Sequence, residues 1–483
     1  MKKTKALPEP NKAQQICEAI LKWGIPGIAF FHIALLLAEH FIGTSLSNTL
    51  LSVEKWILVI LSVFGIGYCF YTMFAFPEQR YRIKAFLKGM FRMEAILLSM
   101  LFIWNIFCVI SADSIYKENL WQLNDNILFE LTVCFFILFI FGYILPKRQA
   151  KMALDIAFIA IVAMMTGLMI WVLHAVCVPS VIHLPGGGSI GMTSASFSGG
   201  GGRLSISCHP NTVGAYAEVI LMMCLYLAVT KKGIIRIFSI FAMIIHYFVL
   251  ILSDSRTCII AAAFSIGVVA FKLVFDAAKG KDVWKRWAFG FLALVVCFAL
   301  VIGLQKPVRI GYESISHFSE LTSSSTEPSG REMELTTNGR NILWTAAVKS
   351  AFSGPRNAVF GVTPVAVVSE ITKWSGTDWG YTHNQFLEVL VANGIPGLVL
   401  YLAWLVLIAI KCVKNVLLKD GSMQKGMIVI GGMILMLVIA NLFEATLVYY
   451  RFFTEGIFFL LCGIVGYQDE KTKMQVERKS YHR

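Results

Sequence analysis

The chain has 483 residues, of which 57% are hydrophobic and only 15% are charged, and its formal net charge is +13 at pH 7. A typical soluble domain carries about 25% charged residues, so this composition excludes an ordinary soluble protein. Apolar runs long enough to cross a bilayer, about 20 residues each, recur along the chain. The sequence therefore predicts a membrane protein.

The apolar runs predict an all-α fold, a polytopic membrane bundle of about twelve transmembrane helices. They lie at roughly 25–42, 54–76, 92–111, 127–145, 152–178, 212–230, 234–252, 257–275, 287–305, 384–410, 424–446 and 448–466. The predicted transmembrane domain is therefore 25–466, between an N-terminal tail at 1–24 and a C-terminal tail at 467–483.

The positions of the 42 Lys and Arg residues predict the orientation of this bundle. With both tails in the cytoplasm, most of them fall in the inner loops and tails, as the positive-inside rule requires. The net charge is then a topology signal, and we expect no nucleic-acid partner. Two long loops fall outside, at 179–211 and at 306–382, and the second joins helices 9 and 10.

The first of these loops contains a Gly-rich segment at 186–202. Because no GK[ST] follows the glycines, the segment is not a phosphate-binding loop. We interpret it as a flexible lid or spacer. The external acidic residues show no DxD or HExxH spacing, so the sequence predicts neither a metal ion nor a cofactor.

The stretch 382–402 puts His383 and Asn384 at the mouth of a predicted span. A titratable residue there is costly and usually functional, and a histidine exchanges protons near neutral pH. A helix over 384–410 would be about 40 Å long, longer than the bilayer core of about 30 Å. Because 393–397 reads NGIPG, we expect a helix break there, with polar backbone facing a cavity. Glu388 lies about 140° around the helix from His383, so no pair between them is predicted.

Two external arginines are candidate anion ligands. Arg256 lies in the tight turn between spans 7 and 8, and Arg340 opens a stretch expected to form an amphipathic helix on the membrane surface. The planar guanidinium fork suits two phosphate oxygens at once. Alternatively, Arg256 reaches lipid phosphate while Ser253 or Asp254 caps the next helix, and Arg340 is an ordinary residue at a helix start.

Four further residues are candidate supporting residues of the same site: Asn384, Asn211, Ser255 and Glu444. Asn384 could orient the His383 ring or hold substrate. Asn211 begins the sixth span and could simply start that helix. The default interpretation of Glu444, a carboxylate within an apolar segment, is pairing inside the bundle.

Four motifs occur in order: HPNTVG at 209–214, SDSR at 253–256, NGRNILW at 338–344 and HNQFLEVLVANGIPG at 383–397. Together with twelve spans and the external loop, they resemble the O-antigen ligase and O-antigen polymerase family of integral membrane glycosyltransferases. The motif-bearing part covers about 205–450. The resemblance implies a GT-C-like fold.

The resemblance also implies a reaction and roles for three residues. Arg256 and Arg340 would bind the diphosphate of an undecaprenyl-diphosphate-linked oligosaccharide, and His383 would be the general base, without a metal. The glycan would pass to an acceptor hydroxyl at the outer face of a bacterial cytoplasmic membrane. The implied partners are the lipid-linked donor, a glycan or lipid acceptor, membrane lipids and other polysaccharide-assembly proteins. Ligase and polymerase differ in the acceptor, which no motif specifies.

Elementary chemistry agrees with this reaction, because a lipid diphosphate is a competent leaving group that needs charge stabilisation, and an acceptor hydroxyl needs a base. The alternative from another class is a transporter or flippase of lipid-linked glycans. Against it, the longest loop lies outside, and no repeated halves of the kind found in transporters are recognisable. A non-catalytic glycan-binding protein is a further alternative.

Overall fold

The computed structural model describes residues 92–112, 147–177, 182–183, 189–193, 203–206, 210–315, 340–377, 381–414, 424–447 and 454–466, with isolated positions between 12 and 23. The α-helices of this part are α1 (Met93–Ile110), α2 (Lys147–Cys177), α3 (Pro210–Thr230), α4 (Gly233–Leu252), α5 (Arg256–Ala277), α6 (Val283–Gly303), α7 (Gln305–Ile315), α8 (Arg340–Ala351), α9 (Pro355–Phe360), α10 (Val367–Ser375), α11 (Gln385–Cys412), α12 (Gln424–Ala440) and α13 (Thr454–Gly466).

Seven of the helices in the described residues are long and apolar enough to cross a membrane: α1, α2, α3, α4, α5, α6 with its extension into α7, and α11. Helices α12 and α13 are apolar but shorter. Each coincides with a predicted span, so the multi-pass helical membrane protein is confirmed. The predicted spans at 25–42, 54–76 and 127–145 lie outside the described residues, and the count of twelve stays a prediction.

Helix α3 lies at the centre of the bundle, where it contacts α2, α4, α5 and α12. Most of its residues are buried on every side, as expected of a helix that is apolar all round. Helix α6, by contrast, is largely unburied, because Gly290 is its only buried residue. A Cβ at Gly290 would come within 2.8 Å of the Phe271 ring of α5, so the glycine permits close packing against α5 at the edge of the bundle.

A small antiparallel sheet, which the all-α prediction did not include, stands against the ends of α2, α3 and α4. Its strands are β1 (Ile182–His183), β2 (Ser189–Thr193) and β3 (Arg203–Ile206), in the order β1-β2-β3. Part of the Gly-rich segment predicted to be a flexible lid or spacer is thus strand β2. The sequence missed it because glycine clusters normally indicate loops.

The region predicted as an external loop, 306–382, contains helices α7 to α10 in its described parts. A helix, α8, is present where the amphipathic helix was expected, and its place on the membrane surface stays a prediction. Helix α8 packs against α10 and α11; most of its apolar residues are buried, whereas Ile342 is exposed, at 46%. The buried members are Leu343, Ala346, Ala347 and Ala351.

The predicted break in the tenth span is confirmed. Gly394 has φ 67° and ψ −171° inside α11, so the helix is interrupted at this residue. A Cβ there would meet the carbonyl oxygen of Val359 at 2.3 Å. Glycine is therefore required twice, for the left-handed φ and for the close approach of the α9 backbone.

The expectation that the break exposes polar backbone to a cavity is wrong for the three carbonyls of residues 391–393. A helix break frees such carbonyls, and Pro396 has no N–H to return to the carbonyl four residues earlier. All three nevertheless accept hydrogen bonds from neighbouring segments. The donors are Val362 N to Val391 O (2.9 Å), Thr363 N to Ala392 O (3.0 Å) and Trp104 Nε1 to Asn393 O (2.8 Å).

We expect Gly394→Ala to destabilise the protein far more than Gly233→Ala does. Both glycines have positive φ, 67° and 61°, but a Cβ at Gly233 would meet no atom within 4 Å. A positive φ costs a residue with a Cβ about 1–3 kcal/mol, and overpacking typically adds about 1–3 kcal/mol at Gly394 alone. Thermal unfolding in detergent would measure the difference. Equal losses in the two variants would contradict the close approach of Val359.

Candidate active site

The ends of four segments meet around one buried carboxylate, that of Glu444, which follows α12. Its Oε1 accepts hydrogen bonds from Arg340 Nη2 (2.7 Å) and from Asn211 Nδ2 (2.8 Å). Its Oε2 lies 3.0 Å from His383 Nδ1. The side chain of Glu444 is 5% exposed, against 17% for Arg340 and 15% for His383. We call these four residues the Glu444 cluster.

The structure therefore brings together Arg340 and His383, for which the sequence predicted separate roles, through two residues predicted only as support, Asn211 and Glu444. Arg340 begins α8, His383 precedes α11, and Asn211 lies in the first turn of α3. The default interpretation of Glu444, pairing inside the bundle, is confirmed, and its partners are the candidate site residues themselves.

His383 has a constrained backbone as well as a bonded ring. Its φ is 51°, a left-handed conformation that costs a non-glycine residue about 1–3 kcal/mol and is commonest at functional sites. Asn384 follows it as the N-cap of α11, and its side-chain oxygen accepts from Phe386 N and Leu387 N at 3.0 Å each. Its side-chain nitrogen donates to Leu442 O at 2.9 Å. Asn384 thus fixes the chain before α11 and joins it to the segment that carries Glu444.

Glu388 bonds to the residue before His383. Thr382 donates to Glu388 Oε2 from its backbone nitrogen (3.0 Å) and from its hydroxyl (2.6 Å). Two buried carboxylates therefore define the position of His383, one through the ring and one through the preceding residue. The sequence could reject a dyad within α11, but it did not reveal the carboxylate 61 residues away.

Tyr381 is a member of the site that the sequence analysis did not single out. Its ring centroid lies 4.2 Å from that of His383, with the two planes tilted by 37°. Burial raises the pKa of the Tyr381 hydroxyl, and the carboxylates of Glu444 and Glu388 raise it further. Tyr381 therefore presents a neutral hydroxyl and an aromatic wall beside the imidazole.

Arg256 begins α5 at the same end of the bundle. The turn before it packs on the N-terminal part of α3, because a Cβ added to Gly214 would lie 2.6 Å from Ser255 Cβ. Gly214 is three residues, just under one helical turn, beyond Asn211. The N-terminal part of α3 therefore contacts the Arg256 turn through Gly214, and it contacts Glu444 through Asn211. The supporting role predicted for Ser255 stays a prediction; besides this packing contact, its backbone nitrogen donates to Ser253 Oγ at 3.4 Å.

The alternative in which Ser253 or Asp254 caps α5 is wrong. The N-cap residue is Ser255, and it makes no side-chain cap bond. The Ser253 hydroxyl donates to Leu250 O at 2.7 Å, and Asp254, with φ 50°, pairs with Arg309 at 3.6 Å. The turn before Arg256 is thus held by α7 and by the end of α4.

The Glu444 cluster offers one imidazole and one carboxylate as possible metal ligands. Across the described ranges, no three His, Cys, Asp or Glu side chains converge as metal ligands do. Metal independence therefore stays a prediction, to be tested on the protein itself.

Fold and site together define a multi-pass membrane protein with a buried, charged site built from helix ends. Residues 240–402 match the family model described as O-antigen ligase. This match confirms the resemblance to the O-antigen ligase and polymerase family, and the matched segment carries Arg256, Arg340 and His383. Comparison with curated proteins gave no match. Asn211 and Glu444 lie outside the matched segment, and the tertiary structure brings them to it.

Proposed function

We propose that the protein is a membrane glycosyltransferase of O-antigen or surface-polysaccharide assembly. It would move a glycan from undecaprenyl diphosphate to an acceptor hydroxyl, as a ligase or a polymerase. The observation that carries this proposal is that His383 and Arg340 both bond to the buried carboxylate of Glu444. His383 and Arg340 lie within the segment that matches the O-antigen ligase model, and Glu444 lies beyond its end.

The proposed base is His383. A carboxylate can only accept, so Nδ1 of His383 donates its proton to Glu444 Oε2 at 3.0 Å. In the neutral ring, this bond places the proton on Nδ1 and the lone pair on Nε2. Nε2 would take the proton of the acceptor hydroxyl as the acceptor oxygen bonds to the anomeric carbon.

The proposed diphosphate ligands are Arg256 and Arg340. As the acceptor oxygen attacks, the bond between the anomeric carbon and the diphosphate oxygen breaks, and its electron pair leaves with undecaprenyl diphosphate. Guanidinium groups would stabilise the negative charge that develops on the leaving group. Attack and departure on opposite sides of the carbon would invert its configuration.

The proposed location is the outer face of the bacterial cytoplasmic membrane, with both termini in the cytoplasm. Basic residues at the end of the bundle opposite the Glu444 cluster support this orientation. At the end opposite the Glu444 cluster, Lys231 pairs with Asp155, and Lys411 pairs with Glu94. Basic residues in short connections favour the cytoplasmic side.

We expect purified protein in nanodiscs to transfer glycan from undecaprenyl-diphosphate-linked oligosaccharide with inversion at the anomeric carbon, and to remain active in a chelator. Gels and mass spectrometry would follow the products, and NMR would report the new linkage. A ladder of lengthened glycans indicates a polymerase, whereas transfer only to an added acceptor indicates a ligase.

Two results would contradict this function. Retention of configuration would exclude the single displacement. No transfer to any acceptor, combined with movement of the lipid-linked glycan across a liposome membrane, would favour the transporter alternative instead.

A further inference from the structure

We infer that Glu444 is a positioning residue that couples donor binding to the base: Arg340 exchanges Glu444 for the donor's diphosphate, and Glu444 then acts on His383 alone. The inference rests on the proposed function and deepens it. Its starting point is that one carboxylate is shared between a proposed anion ligand and the proposed base, one oxygen to each.

The exchange is possible because each oxygen of Glu444 has its own partners. Oε1 bonds to both Arg340 and Asn211, at 2.7 and 2.8 Å. When the Arg340 guanidinium turns to a diphosphate, Asn211 still donates to Oε1. A buried carboxylate oxygen without a donor would be costly, and Asn211 removes that cost.

The exchange also changes the charge balance around His383. The ion pair with Arg340 offsets the charge of Glu444, and little water reaches a carboxylate that is 5% exposed. Once the diphosphate takes Arg340, the neighbours of the carboxylate include the neutral Asn211 and Tyr381 and the buried acid Glu218 of α3, none of which carries a positive charge. A positive His383 becomes the partner that Glu444 lacks, because a buried charge without a counter-charge is strongly disfavoured. The imidazole therefore accepts a proton most readily when the donor is in place.

The coupling would suit a transferase that must not hydrolyse its lipid-linked donor. It would also suit one whose base must not be engaged before the donor is bound. The coupling can also be distinguished from a purely structural role of Glu444. A structural ion pair, when broken, would weaken donor binding, stability and turnover together. The coupling instead predicts that removing the charge of Glu444 lowers turnover without weakening donor binding.

The test is Glu444→Gln, which keeps the shape of the side chain and removes its charge. We expect the rate of glycan transfer to fall by about 100-fold or more, within the contribution of a positioned general base. The dissociation constant for undecaprenyl diphosphate should stay unchanged or decrease, because Arg340 is no longer held by a carboxylate. Both are measured on full-length protein in nanodiscs.

The matched control is Glu370→Gln. The side chains of Glu370 and Glu444 are equally buried, each 5% exposed, but Glu370 lies in α10 and bonds to Lys373 and Trp374. We expect this variant to transfer and bind like the wild type. Glu444→Asp, which keeps the charge on a shorter side chain, should transfer faster than Glu444→Gln and provides a second measurement if the glutamine variant does not fold.

Two outcomes would overturn the coupling. Transfer by Glu444→Gln at the wild-type rate would remove Glu444 from the reaction. Parallel loss of transfer, undecaprenyl diphosphate binding and thermal stability in both Glu444 variants would make the carboxylate a structural residue. Failure of the proposed function is distinguishable from both, because the wild-type protein itself would then show no transfer.

Discussion

Replacing His383 with alanine is expected to abolish glycan transfer while leaving undecaprenyl diphosphate binding largely intact. A positioned general base contributes about 10²–10⁴-fold to a rate, and the ring that Glu444 orients at 3.0 Å is removed. The proposed diphosphate ligands, Arg256 and Arg340, remain. Transfer in nanodiscs and binding of undecaprenyl diphosphate would be measured on the same preparation.

Two further variants make this experiment decisive. His383→Asn cannot act as the base, but asparagine tolerates the left-handed φ of 51° better than alanine does, so it should be folded and equally inactive. His246→Gln changes a buried histidine of α4 that lies 3.2 Å from Thr166, away from the cluster, and should keep turnover. Full transfer by His383→Asn would exclude the histidine as base.

Replacing Arg256 with lysine is expected to weaken undecaprenyl diphosphate binding and transfer by about 10–100-fold, the value of one or two hydrogen bonds to a charged group. Lysine keeps the charge, but an ammonium group cannot bind two phosphate oxygens in the planar arrangement of a guanidinium. The measurement is the dissociation constant together with the initial rate.

The control for Arg256→Lys is the same substitution at Arg286. Arg286 lies in α6 at the opposite end of the bundle, with its guanidinium 4.1 Å from the Phe275 ring centroid, and its replacement should change neither quantity. Binding and transfer near wild type in Arg256→Lys would support the alternative in which Arg256 only reaches lipid phosphate.

The sequence by itself determined the features that depend on short stretches of chain. Each described membrane helix coincides with an apolar run, because the bilayer selects for length and hydropathy. The break at Gly394 was readable for a similar reason, since glycine and proline restrict or release the backbone wherever they stand. Arg256, Arg340 and His383 could be singled out because each interrupts or borders an apolar stretch.

Only the tertiary structure decided which of these residues meet. Glu218, Glu388 and Glu444 are alike in sequence, each a carboxylate in an apolar segment, and helix packing alone determines that Glu444 reaches His383. Its bonds to Arg340 and Asn211 join residues 104 and 233 positions apart. The hydrogen bonds to the carbonyls at the helix break, and the packing of the strands against α3, are likewise contacts between distant segments. Periodicity and composition report the environment of a residue, whereas a partner far along the chain is fixed by the packing of whole helices.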